Sequence, residues 1–151
     1  MISGLFWNIR GVAKAPNLRR LINLVRAHHL KFVVICEPKL DVSKIESIRL
    51  RLLFDYSFVN LSGDIWIFYN SPFVCSIIGS SDQHISIHVQ SQLFSSPIIM
   101  SFVHAKCSLE ERCGLWCSLL NESLFHYLGV LGGTLMLFYP LTKNAVDVRL
   151  L

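Results

Sequence analysis

Nine residues, KFVVICEPK at positions 31–39, constrain this chain most strongly. Phe32, Val33, Val34, Ile35 and Cys36 form an unbroken, β-rich apolar run bounded by charge. Such a run reads as a strand buried on both faces in the middle of a sheet. Glu37 stands at its C-terminal end, the end at which open α/β sheets bind their ligands. Pro38 is expected to stop the ladder there by removing a donor. Position alone leaves two readings of Glu37, a solvated strand terminus or a ligand carboxylate.

The residues before this strand supply a partner for it. Residues 2–8 read as a first strand, with Leu5, Phe6 and Trp7 buried and Asn8 emerging at the end, followed by a turn at Arg10 and Gly11. Over residues 17–29, Leu18, Leu21, Ile22, Val25 and His29 recur at helical spacing, with Pro16 and Asn17 as the start signal. Arg19, Arg20 and Arg26 occupy the opposite face. Strand, helix, strand is the βαβ pattern, so the two strands are expected to lie parallel in one sheet. Asn8 and Glu37 then share its C-terminal edge.

Downstream the pattern shortens. Asp41 can cap a helix running to about Leu52 with Val42, Ile45 and Ile48 inward. Strand candidates follow at 56–61, 64–69, 73–79, 84–90 and 98–103, joined by SGD, NSP, SSDQ and SQLFSSP, all turn chemistry. HISIHVQ alternates cleanly, which predicts His84, Ser86, His88 and Gln90 facing solvent and Ile85, Ile87 and Val89 inward. Ser108 and Glu111 make a capping box, and the helix they open is expected to bury Leu109, Cys113, Trp116 and Leu120. Residues 123–142 contain no Lys, Arg, Asp or Glu, and 124–141 just reach the length of a membrane helix. Gly129, Gly132, Gly133, Pro140 and His126 interrupt that run, while Gly129 and Gly133 have the small-residue spacing of membrane helix pairs.

Charge and cysteines narrow the classes further. Of the fourteen Lys and Arg, ten fall in residues 1–51, against three of the ten Asp and Glu, so the N-terminal third suits a phosphate-bearing partner. Cys36, Cys75, Cys107, Cys113 and Cys117 lack the close pairs of a zinc site. Cys36 and Cys75 lie in apolar strand patterns and read as buried thiols of a reducing compartment. Cys113 and Cys117 share a helix face with no second pair to complete a metal set. Residues 1–12 carry a Trp, an Asn and an Arg where a secretory signal has its apolar core. The expected location is intracellular, nuclear or cytoplasmic.

FWNIRG at 6–11, VVICEPK at 33–39, SGDIWIFYN at 62–70, FVHAKC at 102–107 and ERCGLW at 111–116 occur in one order. With these five, the chain resembles the endonuclease/exonuclease/phosphatase superfamily, which is deoxyribonuclease I-like. More narrowly it looks like the endonuclease domain of plant non-LTR (LINE-type) retrotransposons. The resemblance covers residues 1–121 and implies the N-terminal part of a four-layer α/β sandwich, mixed β-sheets flanked by helices. It also implies hydrolysis of DNA phosphodiesters with a divalent metal, usually Mg2+, and no small-molecule cofactor. Asn8 and Glu37 match the family's metal-holding asparagine and glutamate. His104 stands where many relatives have a phosphate-contacting tyrosine. Arg10 and Lys39 are the candidate phosphate contacts, and DNA is the partner that the basic N-terminal third would take.

The resemblance also shows what the sequence lacks. Relatives carry a later GDFN motif and a terminal Asp-His pair, and neither occurs among these 151 residues. In-line displacement needs a positioned nucleophile and stabilised phosphoryl oxygens besides a metal. The expectation is therefore a truncated, inactive domain over 1–121 and a divergent apolar tail over 122–151. A noncatalytic nucleic-acid-binding remnant and a small protein anchored in a membrane by residues 124–141 are the alternatives. Codons able to encode residues 127–140, read one frame away, permit PWGVGGDFNVILP, which contains the missing motif where the family would put it. A one-base frame change between residues 120 and 127 accounts for that coincidence.

Overall fold

A computed structural model describes residues 2–106, 108–129, 135–138 and 146–150, with side chains for 3–106 and 108–122. Two compact units emerge from the chain. The first contains strands β1 (Ile2–Asn8), β2 (Phe32–Cys36), β3 (Tyr56–Val59), β4 (Ile65–Tyr69) and β9 (Val146–Leu150), with helices α1 (Ala15–Ala27) and α2 (Ile45–Leu52). The second contains β5 (Val74–Ser80), β6 (His84–Gln90), β7 (Ile98–Val103), β8 (Leu135–Phe138) and helix α3 (Leu109–Gly129).

In the first unit the sheet order is β3-β4-β2-β1-β9, so β2 is the central strand. It pairs parallel with β1 and antiparallel with β4, and all five of its residues are buried. The βαβ expectation therefore holds. Alternate residues Leu5, Trp7, Val33, Ile35, Trp66 and Phe68 form one core with Leu18 and Leu21 of α1 and Ile48 and Leu52 of α2. Burying each of these side chains is worth about 2 kcal/mol relative to exposure. That makes this core the main anchor of the edge where Asn8 and Glu37 stand.

The helix boundaries shift for identifiable reasons. Lys14 is the N-cap of α1 and Pro16 lies within its first turn, where its missing N–H costs nothing. Asn17 is thus inside the helix, and its side chain serves the preceding loop instead. His29, expected on the apolar face, lies beyond the helix in the left-handed region at φ 50° and is exposed. Asp41 does cap, accepting a hydrogen bond from Ser43 N at 2.9 Å, but it opens a single 3-10 turn, Val42–Lys44, that leads into α2. Val42 consequently faces outward at 39% exposure. Gly63 occupies the turn before β4 at φ +83°, and a Cβ there would press on Val42 Cγ2 at 2.9 Å.

In the second unit β5-β6-β7-β8 are adjacent in that order, the first three antiparallel and β7–β8 parallel. Ile85, Ile87 and Val89 are buried as expected, but the opposite face of β6 divides: Gln90 is exposed as expected and His88 is half-buried, whereas His84 and Ser86 are each 1% exposed. Val103, opposite His84, packs on Leu115 and Leu119 of α3. His84 is held between Ser81 Oγ at 2.6 Å and Glu122 Oε1 at 2.8 Å, and Ser86 Oγ meets Ser101 Oγ at 2.7 Å. Burial of these polar groups is tolerated because each has found a partner. Gly79 accommodates the same carboxylate, since a Cβ there would overlap Glu122.

Helix α3 starts as its capping box requires, with Glu111 N donating to Ser108 Oγ at 3.2 Å and Ser108 Oγ donating to Glu111 at 2.6 Å. Its buried face is not the expected one. Leu115 and Leu119 are 2% and 6% exposed, whereas Leu109, Trp116 and Leu120 are 73%, 45% and 62% exposed. Cys113 and Cys117 are exposed with them. The continuous membrane helix weighed for residues 124–141 does not form, because α3 ends at Gly129 and β8 begins at Leu135. Among the described residues no helix is long and apolar enough to cross a membrane. Gly132, Gly133 and Pro140, and Cys107 of the FVHAKC motif, lie outside the described residues.

Candidate metal-holding edge

The parallel pairing of β1 with β2 aligns Asn8 with Cys36, so the next residue of the central strand, Glu37, falls beside the asparagine. Asn8 Nδ2 donates to Glu37 Oε1 at 2.9 Å. An ionised carboxylate only accepts, so the amide nitrogen must face it and the amide oxygen must point elsewhere. Asn8 Oδ1 is buried there without a hydrogen-bond partner. Leaving such an acceptor unsatisfied costs about 1–3 kcal/mol, so the atom calls for a partner such as a water or a cation.

The strand ends at Cys36, before Glu37 and not at Pro38. Glu37 has φ 51°, and Arg10 and Lys39 are left-handed as well, at 50° and 49°. Three non-glycine residues in that region on two neighbouring turns store about 1–3 kcal/mol each, strain that clusters at ligand-holding sites. Backbone pairing overdetermines the conformation. Ile9 N donates to Cys36 O at 3.0 Å, Gly11 N to Glu37 O at 2.8 Å, Val12 N to Pro38 O at 2.8 Å, and Glu37 N to Asp64 O at 2.9 Å. Asn17 completes the clamp by donating from Nδ2 to Ile9 O at 3.0 Å and Gly11 O at 2.9 Å. Sequence reading placed Asn17 at a helix start and missed this role; its closeness to the IRG turn was the available signal.

Charge at the edge is mixed. Lys39 Nζ lies 3.9 Å from Glu37 Oε2, with the lysine 62% exposed. An exposed pair of that length is worth about 0–1 kcal/mol, so it does not bar a dication from the carboxylate. Burial pushes the Cys36 thiol far above its ordinary range, and the negative charges of Glu37 and Asp64 add to the effect. Asp64, read from sequence as the join of the SGD turn to the next strand and given no site role, is thus a second carboxylate within electrostatic reach of Cys36. Arg10 is exposed on the turn beyond β1. His104 belongs to the other unit, where its backbone N donates to Gln83 O at 2.8 Å.

A hard cation fits what the edge offers, an unsatisfied amide oxygen and a carboxylate that already holds its neighbour in place. Among the described residues no group of three His, Cys, Asp or Glu surrounds a common point. A cation held here would keep several waters, which suits Mg2+. Asn8 and Glu37 are the residues that would hold it, and when bound it would supply Lewis-acid polarisation of a phosphoryl oxygen.

No family model matches the chain, and no curated protein matches it. Solved structures do. D. rerio TDP2 complexed with single strand DNA product aligns with TM-score 0.64 and 14% identity, covering 90% of this chain and 58% of that one. The human Nocturnin catalytic domain with bound sulfate anion aligns with TM-score 0.61 and 17% identity, covering 90% and 63%. An endonuclease/exonuclease/phosphatase family protein from Bacteroides thetaiotaomicron aligns with TM-score 0.54 and 13% identity, covering 90% and 62%. The chain has the deoxyribonuclease I-like fold. It spans less than two thirds of the length of these three neighbours. Within that fold the two mixed sheets and three helices correspond to part of the domain, and Asn8 and Glu37 lie at the C-terminal edge of its parallel strand pair.

Proposed function

We propose that residues 1–121 are a retrotransposon-derived, LINE-type endonuclease-like segment whose Asn8 and Glu37 hold Mg2+ against DNA phosphate, and that these 151 residues alone do not cut DNA. The observation that carries this reading is the Asn8–Glu37 pair, with its buried amide oxygen, on a deoxyribonuclease I-like fold. The absence of GDFN and of an Asp-His pair from the sequence supports the second clause. Arg10 and Lys39 flank the edge and serve phosphate binding in this reading, with Lys39 exchanging Glu37 for a phosphoryl oxygen. His104 takes no assigned step.

The chain's own groups would bind and orient a phosphodiester. Glu37 and Asn8 fix the cation, the clamped 9–12 turn keeps Asn8 in register, and cationic side chains neutralise the backbone. What is missing is a group to position the attacking water. The test is nicking of supercoiled and abasic DNA with Mg2+. No nicking above background is expected, and nicking that disappears in Glu37→Ala would contradict the inactivity. The frame-change account of residues 127–140 is tested by the codons themselves, which must spell GDFN one frame away.

A further inference from the structure

We infer that the outer side of α1 and α2 carries a second phosphodiester-binding site, a groove whose cations are Arg19, Arg26 and Arg51. The groove encloses about 420 Å3 and is also lined by Asn23, Leu18 and Ile22, with no acidic residue and none of the Asn8–Glu37 edge among its walls. Arg19, Ile22, Asn23 and Arg26 stand at i, i+3, i+4 and i+7, which puts them on one stripe of α1, and Arg51 joins them from α2.

The neighbouring arginines show why these three are different. Arg20 lies over the Trp7 ring at 5.6 Å from its centroid, and Arg49 is bound to Glu46 at 2.8 Å and to the Phe54 carbonyl at 2.6 Å. Those two are committed to the fold. Arg19, Arg26 and Arg51 are exposed, with no carboxylate within ion-pair distance among the described residues. Three clustered cations without counter-charge repel one another, and an anion entering the groove relieves that repulsion. Arg19 and Arg26 are separated by about 10 Å along the helix, a length that reaches beyond a single phosphate to its neighbour on the strand. Guanidinium forks match phosphate oxygens in pairs, and the apolar floor of Leu18 and Ile22 suits sugar edges rather than bulk water. Choosing nucleic acid over other polyanions rests on the function proposed above.

The experiment measures binding of the full chain to a fluorescein-labelled duplex oligonucleotide by anisotropy, in EDTA and across a salt series. Arg26→Glu/Arg51→Glu is compared with Lys31→Glu/Lys44→Glu, which changes net charge equally but lies off the groove. The groove variant is expected to lose roughly tenfold or more in affinity and to lower the salt slope by about two, while the control keeps most of both. Equal losses in the two variants, or none in the groove variant, would overturn the site. Because every arm is run in EDTA, the outcome does not depend on cation binding at the Asn8–Glu37 edge, and failure of that edge is read separately. Should the groove variant unfold, phenylglyoxal modification of the parent chain decides: duplex must protect Arg19, Arg26 and Arg51, and unprotected arginines there would refute the inference.

Discussion

Cys36 shows how one residue reports on the edge beside it. Its thiol is fully buried between a core and two carboxylates, so desolvation first and the charges of Glu37 and Asp64 next keep it protonated. Burial alone pushes Cys75 up to about 12. Thiolate is the reactive species, and a raised value means a neutral thiol at mildly alkaline pH. Iodoacetamide at pH near 8 is therefore expected to label the exposed Cys113 and Cys117 quickly, leaving Cys36 and Cys75 unmodified in the folded chain. Peptide mass spectrometry checks this; rapid labelling of Cys36 would mean that β2 is not the central strand. Asn17 makes the complementary case. Replacing it with alanine frees the carbonyls of Ile9 and Gly11 and is expected to cost about 1–3 kcal/mol in urea unfolding. An unchanged midpoint would show that the turn holds itself.

Helix α3 illustrates what sequence could and could not settle at the scale of an element. Its two leucine-bearing faces are nearly equivalent in composition, and the choice between them is made by Val103 and by the His84–Glu122 contact, all distant in sequence. Leu115→Ala is expected to cost about 2–5 kcal/mol, while Leu120→Ala, at 62% exposure, stays within about 0.5 kcal/mol of the parent. Thermal or urea melts of the two variants decide it, and the reverse ranking would restore the stripe read from spacing. The same physics hid the face of β6. Alternation finds which residues share a side, but His84 and Ser86 are buried because Ser81, Glu122 and Ser101 satisfy them, and no local pattern announces those partners. The unbroken run of β2 had no such ambiguity, since a strand apolar on both sides must be covered on both sides. The juxtaposition of Asn8 and Glu37 followed from it through the handedness and direction of a βαβ unit. The left-handed turns at Arg10, Glu37 and Lys39 were illegible, because none is a glycine.

For the whole molecule, the proposed cation site is the Asn8–Glu37 edge of the deoxyribonuclease I-like fold. The buried Asn8 oxygen is the structural reason for expecting an oxygen-seeking cation at that edge and not merely a solvated carboxylate. Lys39 competes weakly for Glu37, so Lys39→Ala, which keeps a β-carbon at the same strained backbone position, isolates its charge. Titration of the full chain with Mn2+, followed by the electron paramagnetic resonance of the free ion, tests the claim most directly. The account predicts one bound ion that Mg2+ displaces, lost in Glu37→Gln and held up to about fivefold more tightly in Lys39→Ala. Binding that survives in Glu37→Gln, or no bound Mn2+ in the parent chain, would contradict it.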